Sequence, residues 1–161
     1  NEKIIERPLY YEPFVGYIPK NHRLASIKYI TNDDIENEEI LLLEDGHCFR
    51  NQVLNFCSMN IESKNKKFKI KSGSFETLIN LANEGLGITI IPYLNSKNLN
   101  IQDKENIKEF INPSPGREIS LIFPKSELKL QIIEALKKTI NSEIRGIIQF
   151  EDIQIIAPIS S

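Results

Sequence analysis

The sequence contains no tryptophan, one methionine and only two cysteines among 161 residues. Its basic and acidic side chains nearly cancel, which leaves a formal net charge of −2. The chain therefore lacks the positive charge that marks a nucleic-acid-binding domain. It also lacks any apolar run near the roughly 18 to 20 residues that span a bilayer. We expect neither direct DNA binding by this chain nor insertion into a membrane.

The first residues, NEKIIERPLYYEP, lack the basic start and apolar stretch of a signal peptide. We therefore expect a cytoplasmic protein, and in that compartment a cysteine pair is more often catalytic, metal-binding or redox-sensing than a permanent disulfide. Hydrophobic residues make up 40% of the sequence and charged residues 26%. This balance is typical of a globular protein with its own core.

Short apolar runs alternate with helical patterns along the chain. We predict strands at 14–18, 40–43, 68–71, 85–92 and 119–123, and helices at about 47–55, 75–84 and 127–144. This alternation predicts an α/β fold with a largely parallel sheet. Gly85 and Gly87 lie at the start of a predicted strand, whereas the glycines of a dinucleotide-binding loop follow one. They therefore indicate a turn, and we predict no cofactor.

The segment GHCFRNQVLNFC, Gly46 to Cys57, contains both cysteines of the chain. Cys48 should lie in the first turn of a helix, where the unpaired N–H groups and the helix dipole favour an anion. His47 and Arg50 would add positive charge, so we expect a partly ionised and therefore reactive thiol. Arg50 could also donate hydrogen bonds to a peroxide oxygen.

The spacing of the two cysteines sets a geometric conflict. Nine residues of helix rise about 13.5 Å and turn through roughly two and a half turns, which places Cys48 and Cys57 on opposite faces. A disulfide requires Cα atoms about 4.4 to 6.8 Å apart. A Cys48–Cys57 bond and an intact helix therefore exclude each other, so oxidation would have to unwind or move this segment.

Other roles for the two cysteines also fit the residues. The two cysteines could equally be buried, inert thiols that pack as small hydrophobic side chains, and this interpretation is an alternative to a redox pair. A metal site is not predicted, because His47, Cys48 and Cys57 lack a zinc-site spacing and a fourth ligand. The sequence has no C-x-x-C pair, which argues against a thioredoxin-like enzyme.

Longer stretches of the chain resemble a known family. LLLEDGHCFRNQVLNFC and the following SGSFETLINLANEGLGITIIPYL resemble the regulatory domain of the OxyR family of peroxide-sensing LysR-type transcription regulators, as do PLYYEPFVGYIPKNHRLA and SPGREISLIFPKS. The resemblance covers about residues 4–146. It implies that Cys48 reacts with peroxide and Cys57 resolves the product, with Gly46, His47 and Arg50 surrounding the reactive thiol.

The resemblance also implies a domain organisation. The expected fold has two Rossmann-like lobes, similar to periplasmic binding proteins. Residues 1–9 would be a crossover segment, 10–116 the second regulatory lobe, and 117–161 the returning strand and C-terminal helix of the first lobe. The DNA-binding domain and the first half of that lobe would be missing.

The partners implied by the resemblance are those of a regulator and not of an enzyme. They are hydrogen peroxide, a second copy in a homodimer or dimer of dimers, promoter DNA through absent N-terminal residues, RNA polymerase, and a dithiol reductant such as glutaredoxin or thioredoxin. The main alternative is a LysR-type effector domain that binds a small organic inducer and has incidental cysteines. A thiol peroxidase is a third possibility, although no peroxidase motif is present.

Overall fold

The computed structural model describes residues 4–58, 71–127, 129–149 and 152–157. The strands in these ranges are β1 (Ile4–Tyr17), β2 (Tyr29–Ile30), β3 (Ile40–Leu43), β4 (Lys71–Ser72), β5 (Ile88–Pro92), β6 (Ile107–Phe110), β7 (Ser114–Pro124) and β8 (Ile153–Ile155). The helices are α1 (Asn32–Ile35), α2 (Cys48–Ser58), α3 (Phe75–Asn83), α4 (Tyr93–Lys97), α5 (Ile101–Lys104) and α6 (Leu130–Arg145).

One strand, β1, connects the two parts of the sheet. Its first ten residues, Ile4–Pro13, pair with β7, and its last four, Phe14–Tyr17, lie between β5 and β6. The sheet order is β2-β6-β1-β5-β3-β4, with β7 and β8 continuing from the first part of β1. Because β1 runs antiparallel to β5, β6 and β7, while β3 is parallel to β5, the sheet is mixed. The predicted α/β class is confirmed.

Several predicted strand limits were wrong. β1 begins at Ile4 instead of residue 14, and β7 begins at Ser114 instead of residue 119. The added residues of β1 and β7 pair with each other, and this pairing makes them strands. Neither stretch has a strong local strand pattern in the sequence. Pro8 lies at a shift of register in the β1–β7 ladder, where a missing N–H is tolerated. The strand predicted at 68–71 lies outside the described residues except for Lys71.

Helix α3 follows its sequence pattern closely. The hydroxyl of Ser74 accepts a hydrogen bond from the Thr77 backbone N–H and thereby caps the start of the helix. Leu78, Ile79 and Ala82 form the buried side of the helix. Gly85 then ends the helix with a φ of +79°, a conformation that favours glycine. The helix thereby covers the sheet beside β3 and β5.

A buried tyrosine joins the end of β1 to two helices. The Tyr17 hydroxyl oxygen lies 2.5 Å from Asp103 Oδ1 and 2.7 Å from Asn83 Oδ1, and it accepts a hydrogen bond from Asn106 Nδ2. Burial, together with the hydrogen bond to Asp103, raises the pKa of Tyr17 to about 12. The network fixes β1 to α3 and α5 through polar contacts.

Helix α6 forms near its predicted position and contacts β1 through an ion pair between Arg7 and Glu134. Its apolar residues Ile132 and Leu136 are 63% and 46% exposed in this chain. No helix in the described part of the chain has the length and apolar character needed to cross a membrane. The predicted boundaries at residues 10 and 116 stay predictions.

Candidate redox site

The helix that carries both cysteines follows directly from a fully buried strand. All four residues of β3 are buried, and the Glu44 backbone N–H extends its pairing by donating to the Ser72 carbonyl. The chain then turns at Gly46, whose φ of +96° favours glycine. Helix α2 begins at Cys48, one residue after its predicted start at about residue 47, and it continues to Ser58 instead of ending near residue 55. Both cysteines therefore lie in one helix.

The two thiols have opposite environments. Cys48 is exposed at the first residue of α2, whereas Cys57 is 0% exposed in the hydrophobic core. No disulfide joins them. Nine residues of regular helix separate their Cα atoms by about 13.5 Å. A solute can reach the first thiol directly, but it can reach the second only when the helix opens.

Aromatic contacts hold α2 on the sheet at both ends. Phe49 packs edge-on against Phe14 at 5.0 Å and against Phe75 at 5.4 Å between ring centroids. Phe56 packs in the same way against Phe110 at 5.3 Å. Edge-to-face pairs of this kind contribute about 0.5–1.5 kcal/mol beyond the area they bury. Two aromatic side chains between the cysteines, one next to each, therefore anchor the helix.

The predicted residues around Cys48 are brought to the start of α2. Gly46 and His47 are exposed in the preceding turn. Arg50 is mostly buried, and its Nη2 lies 3.2 Å from Asp45 Oδ1. Arg50 Nε is also buried, and it has no hydrogen-bond partner among the described residues. The Arg50 guanidinium is thus oriented by Asp45, and the roles of Gly46, His47 and Arg50 toward peroxide stay predictions.

A second arginine near the site was missed by the sequence analysis. The Arg117 guanidinium lies over the Phe49 ring, 5.3 Å from its centroid, beside the first turn of α2. The 2%-exposed side chain of Glu12 holds it in place, because Glu12 Oε2 accepts hydrogen bonds from Arg117 Nε and Nη2 at 2.9 and 2.8 Å. Glu12 Oε1 accepts another from the Leu94 backbone N–H. No spacing in the sequence reveals a pair 105 residues apart.

Comparison with known proteins places the chain in a family. Residues 1–144 match the family model described as the LysR substrate binding domain. The chain is 33% identical over 147 residues to a hydrogen peroxide-inducible genes activator of Pectobacterium carotovorum, covering 91% of this chain and 48% of that protein. It is also 33% identical to the DNA-binding transcriptional dual regulator OxyR of Escherichia coli K12, covering 91% and 47%.

The solved structures that resemble this chain include OxyR proteins, like the relatives found by sequence. A mutant OxyR from Porphyromonas gingivalis superposes with a TM-score of 0.76 at 28% identity, covering 92% of this chain and 67% of that one. The reduced regulatory domain of OxyR from Pseudomonas aeruginosa gives 0.74 at 27% identity, covering 86% and 66%. This chain spans about half the length of its curated relatives. It belongs to the LysR substrate-binding domain family, and its structural neighbours are OxyR regulatory domains.

Proposed function

We propose that this chain is the hydrogen-peroxide-sensing regulatory domain of a LysR-type transcription regulator, switched by a reversible Cys48–Cys57 disulfide. The observation that carries the proposal is the placement of an exposed Cys48 and a buried Cys57 in one helix, with no bond between them. The names of the relatives, which include hydrogen peroxide-inducible genes activators, support the choice of oxidant.

The proposed reaction has two steps. The Cys48 thiolate attacks one oxygen of hydrogen peroxide, the O–O bond breaks, and hydroxide leaves, which gives a sulfenic acid on Cys48. The Cys57 sulfur then displaces the hydroxyl from Cys48, which forms the disulfide and releases water. In this proposal Gly46, His47 and Arg50 surround the Cys48 sulfur during the first step. A cytosolic dithiol, of the glutaredoxin or thioredoxin kind, would reduce the disulfide to two thiols by thiol–disulfide exchange and would itself become a disulfide.

The relation to transcription belongs to the same proposal. Residues 10–116 form the regulatory lobe, 117–161 return to the other lobe, and 1–9 cross between them. The protein acts in the cytoplasm as a homodimer or a dimer of dimers. It contacts promoter DNA through a part of the regulator outside this chain, and it acts on RNA polymerase. The length of the relatives, about twice that of this chain, supports such an additional part.

Thiol counting tests the proposal. One equivalent of peroxide should consume both thiols of the reduced protein and lower its mass by two hydrogens. Cys48→Ser should abolish this change. Cys57→Ala is the matched variant, because it should retain a sulfenic acid on Cys48 that dimedone traps. If Cys48→Ser still loses a thiol at the wild-type rate, or if the wild-type protein keeps both thiols, the proposal is wrong.

A second candidate is an effector domain that binds a small organic inducer. An open cavity of about 850 Å³ favours it, lined in part by Tyr93, Lys97, Phe110 and Asn112 at the carboxyl ends of β5 and β6. Aromatic rings with a few polar groups are typical of small-molecule sites. A rise in melting temperature with an organic acid, combined with a Cys48 that does not react with peroxide, would support this function instead.

A further inference from the structure

The C-terminal segment, residues 152–157, is built into the regulatory part of the molecule. β8 pairs in parallel with β7, with Ile153 opposite Ser114 and Ile155 opposite Gly116. The Ile156 backbone N–H then donates to the Gly116 carbonyl at 2.8 Å. Ile156 is itself 1% exposed and belongs to the hydrophobic core. The segment is therefore part of the sheet through β8 and part of the hydrophobic core through Ile156.

Helix α2 holds this segment through two side chains. Gln52 Nε2 donates to the Ile156 carbonyl at 3.1 Å, and Asn55 Nδ2 donates to the Ala157 carbonyl at 2.8 Å. Residues three apart lie on the same face of a helix, so both amides reach consecutive carbonyls of the segment. Gln52 and Asn55 lie between Cys48 and Cys57 in sequence. The helix that carries both cysteines is thus also the support of the C-terminal segment.

We propose that disulfide formation releases the C-terminal segment from α2, so that oxidation changes the surface formed by residues 152–157. The inference depends on the proposed Cys48–Cys57 disulfide, with hydrogen peroxide as the oxidant and hydroxide and water as the products. Bringing the two Cα atoms from about 13.5 Å to within about 6.8 Å requires the intervening helix to unwind. Gln52 and Asn55 then lose the common face from which they donate to Ile156 and Ala157.

The packing of Gln52 favours this release. Its side chain is 8% exposed, and its Oε1 is buried without a hydrogen-bond partner among the described residues. A buried polar atom without a partner is unfavourable compared with the same atom in water. Unwinding of α2 returns this oxygen to solvent. The burial of this oxygen is therefore an unfavourable feature of the reduced helix that unwinding removes, although the hydrogen bond from Gln52 Nε2 to the segment is favourable.

The coupling acts in both directions. The segment stabilises only the reduced form of α2, through the hydrogen bonds from Gln52 and Asn55. Loss of these two bonds therefore shifts the equilibrium between the dithiol and the disulfide toward the disulfide. We expect the double variant Gln52→Ala/Asn55→Ala to favour the disulfide about tenfold, which makes the reduction potential about 30 mV more negative. Asn51→Ala is the matched control. It removes an amide from the same helix that makes no hydrogen bond to residues 152–157, and it should leave the potential unchanged.

Hydrogen exchange measured by mass spectrometry on the whole protein gives the direct test. In the reduced protein the amide of Ile156 should be protected, and after one equivalent of peroxide it should exchange at least tenfold faster. The double variant should show the faster exchange while still reduced, and Asn51→Ala should behave as the wild type. A disulfide that forms while the protection of Ile156 and the variant potential stay unchanged overturns the inference alone. If no disulfide forms, the proposed function fails and the inference fails with it.

Discussion

Cys57 should react with an alkylating reagent far more slowly in the native protein than in the unfolded chain. Its side chain is 0% exposed near the end of α2, so iodoacetamide can reach it only when the last turns of the helix open. The same opening must precede contact between Cys57 and Cys48. The alkylation rate of Cys57 therefore measures the opening step of the proposed switch.

The burial of neighbouring residues sets the expected size of this effect. Opening the last turns of α2 exposes Val53 and Phe56, which are 1% and 6% exposed. Full burial of such a side chain stabilises by about 1.5–3 kcal/mol, so the two together give about 3–6 kcal/mol. Since 1.4 kcal/mol corresponds to a factor of ten, native Cys57 should react roughly 10² to 10⁴ times more slowly than unfolded Cys57.

The assay is timed alkylation followed by mass spectrometry of the two cysteine peptides. A parallel series in concentrated guanidinium gives the intrinsic rate of each thiol, and Cys48 serves as the exposed thiol within each sample. Phe56→Ala removes the contact with Phe110 and should accelerate Cys57 at least tenfold, with little change at Cys48. A native Cys57 rate within tenfold of its rate in guanidinium would refute the reasoning, because α2 would then open too readily to protect the thiol.

Two further predictions concern the frame that holds the site. At Gly87, where φ is +148°, a Cβ atom would overlap the backbone oxygen of Glu39, whereas at Gly85 it would meet no atom within 4 Å. Gly85→Ala should therefore cost about 1–3 kcal/mol for backbone strain alone, and Gly87→Ala should cost about 1–3 kcal/mol more for the overlap; equal urea midpoints for the two variants would contradict this. The pKa of Tyr17 lies at about 12, above the ordinary value of 10.0, so its contribution to stability is complete below pH 10 and is lost as the pH rises toward 12. Tyr17→Phe should cost about 1–3 kcal/mol at neutral pH, because it removes the hydroxyl that accepts a hydrogen bond from the buried Asn106 amide. The variant should lose less additional stability than the wild type between pH 10 and 12, which urea unfolding at several pH values would measure.

The parts of the structure that could be predicted are those with a local signal. Four consecutive apolar residues predict β3, Ser74 predicts the start of α3, and the residues around Cys48 predict the start of α2. The pairing of Glu12 with Arg117 could not be predicted, because it depends on how two distant strands register. For the same reason the first half of β1 and the three residues of β8 were missed. A sequence pattern cannot show which partner a strand will find.

The sharing of β1 between two groups of strands has a thermodynamic consequence. Residues 4–13 satisfy the backbone of β7, and residues 14–17 satisfy that of β5 and β6, within one uninterrupted strand. If either half of β1 separates from its partner strands, the other half loses the continuous strand that helps to fix its register. We therefore expect the two groups of strands to unfold in a single cooperative transition and not one after the other. A destabilising substitution anywhere along β1, even far from the cysteines, should therefore lower the stability of the sheet on which α2 packs.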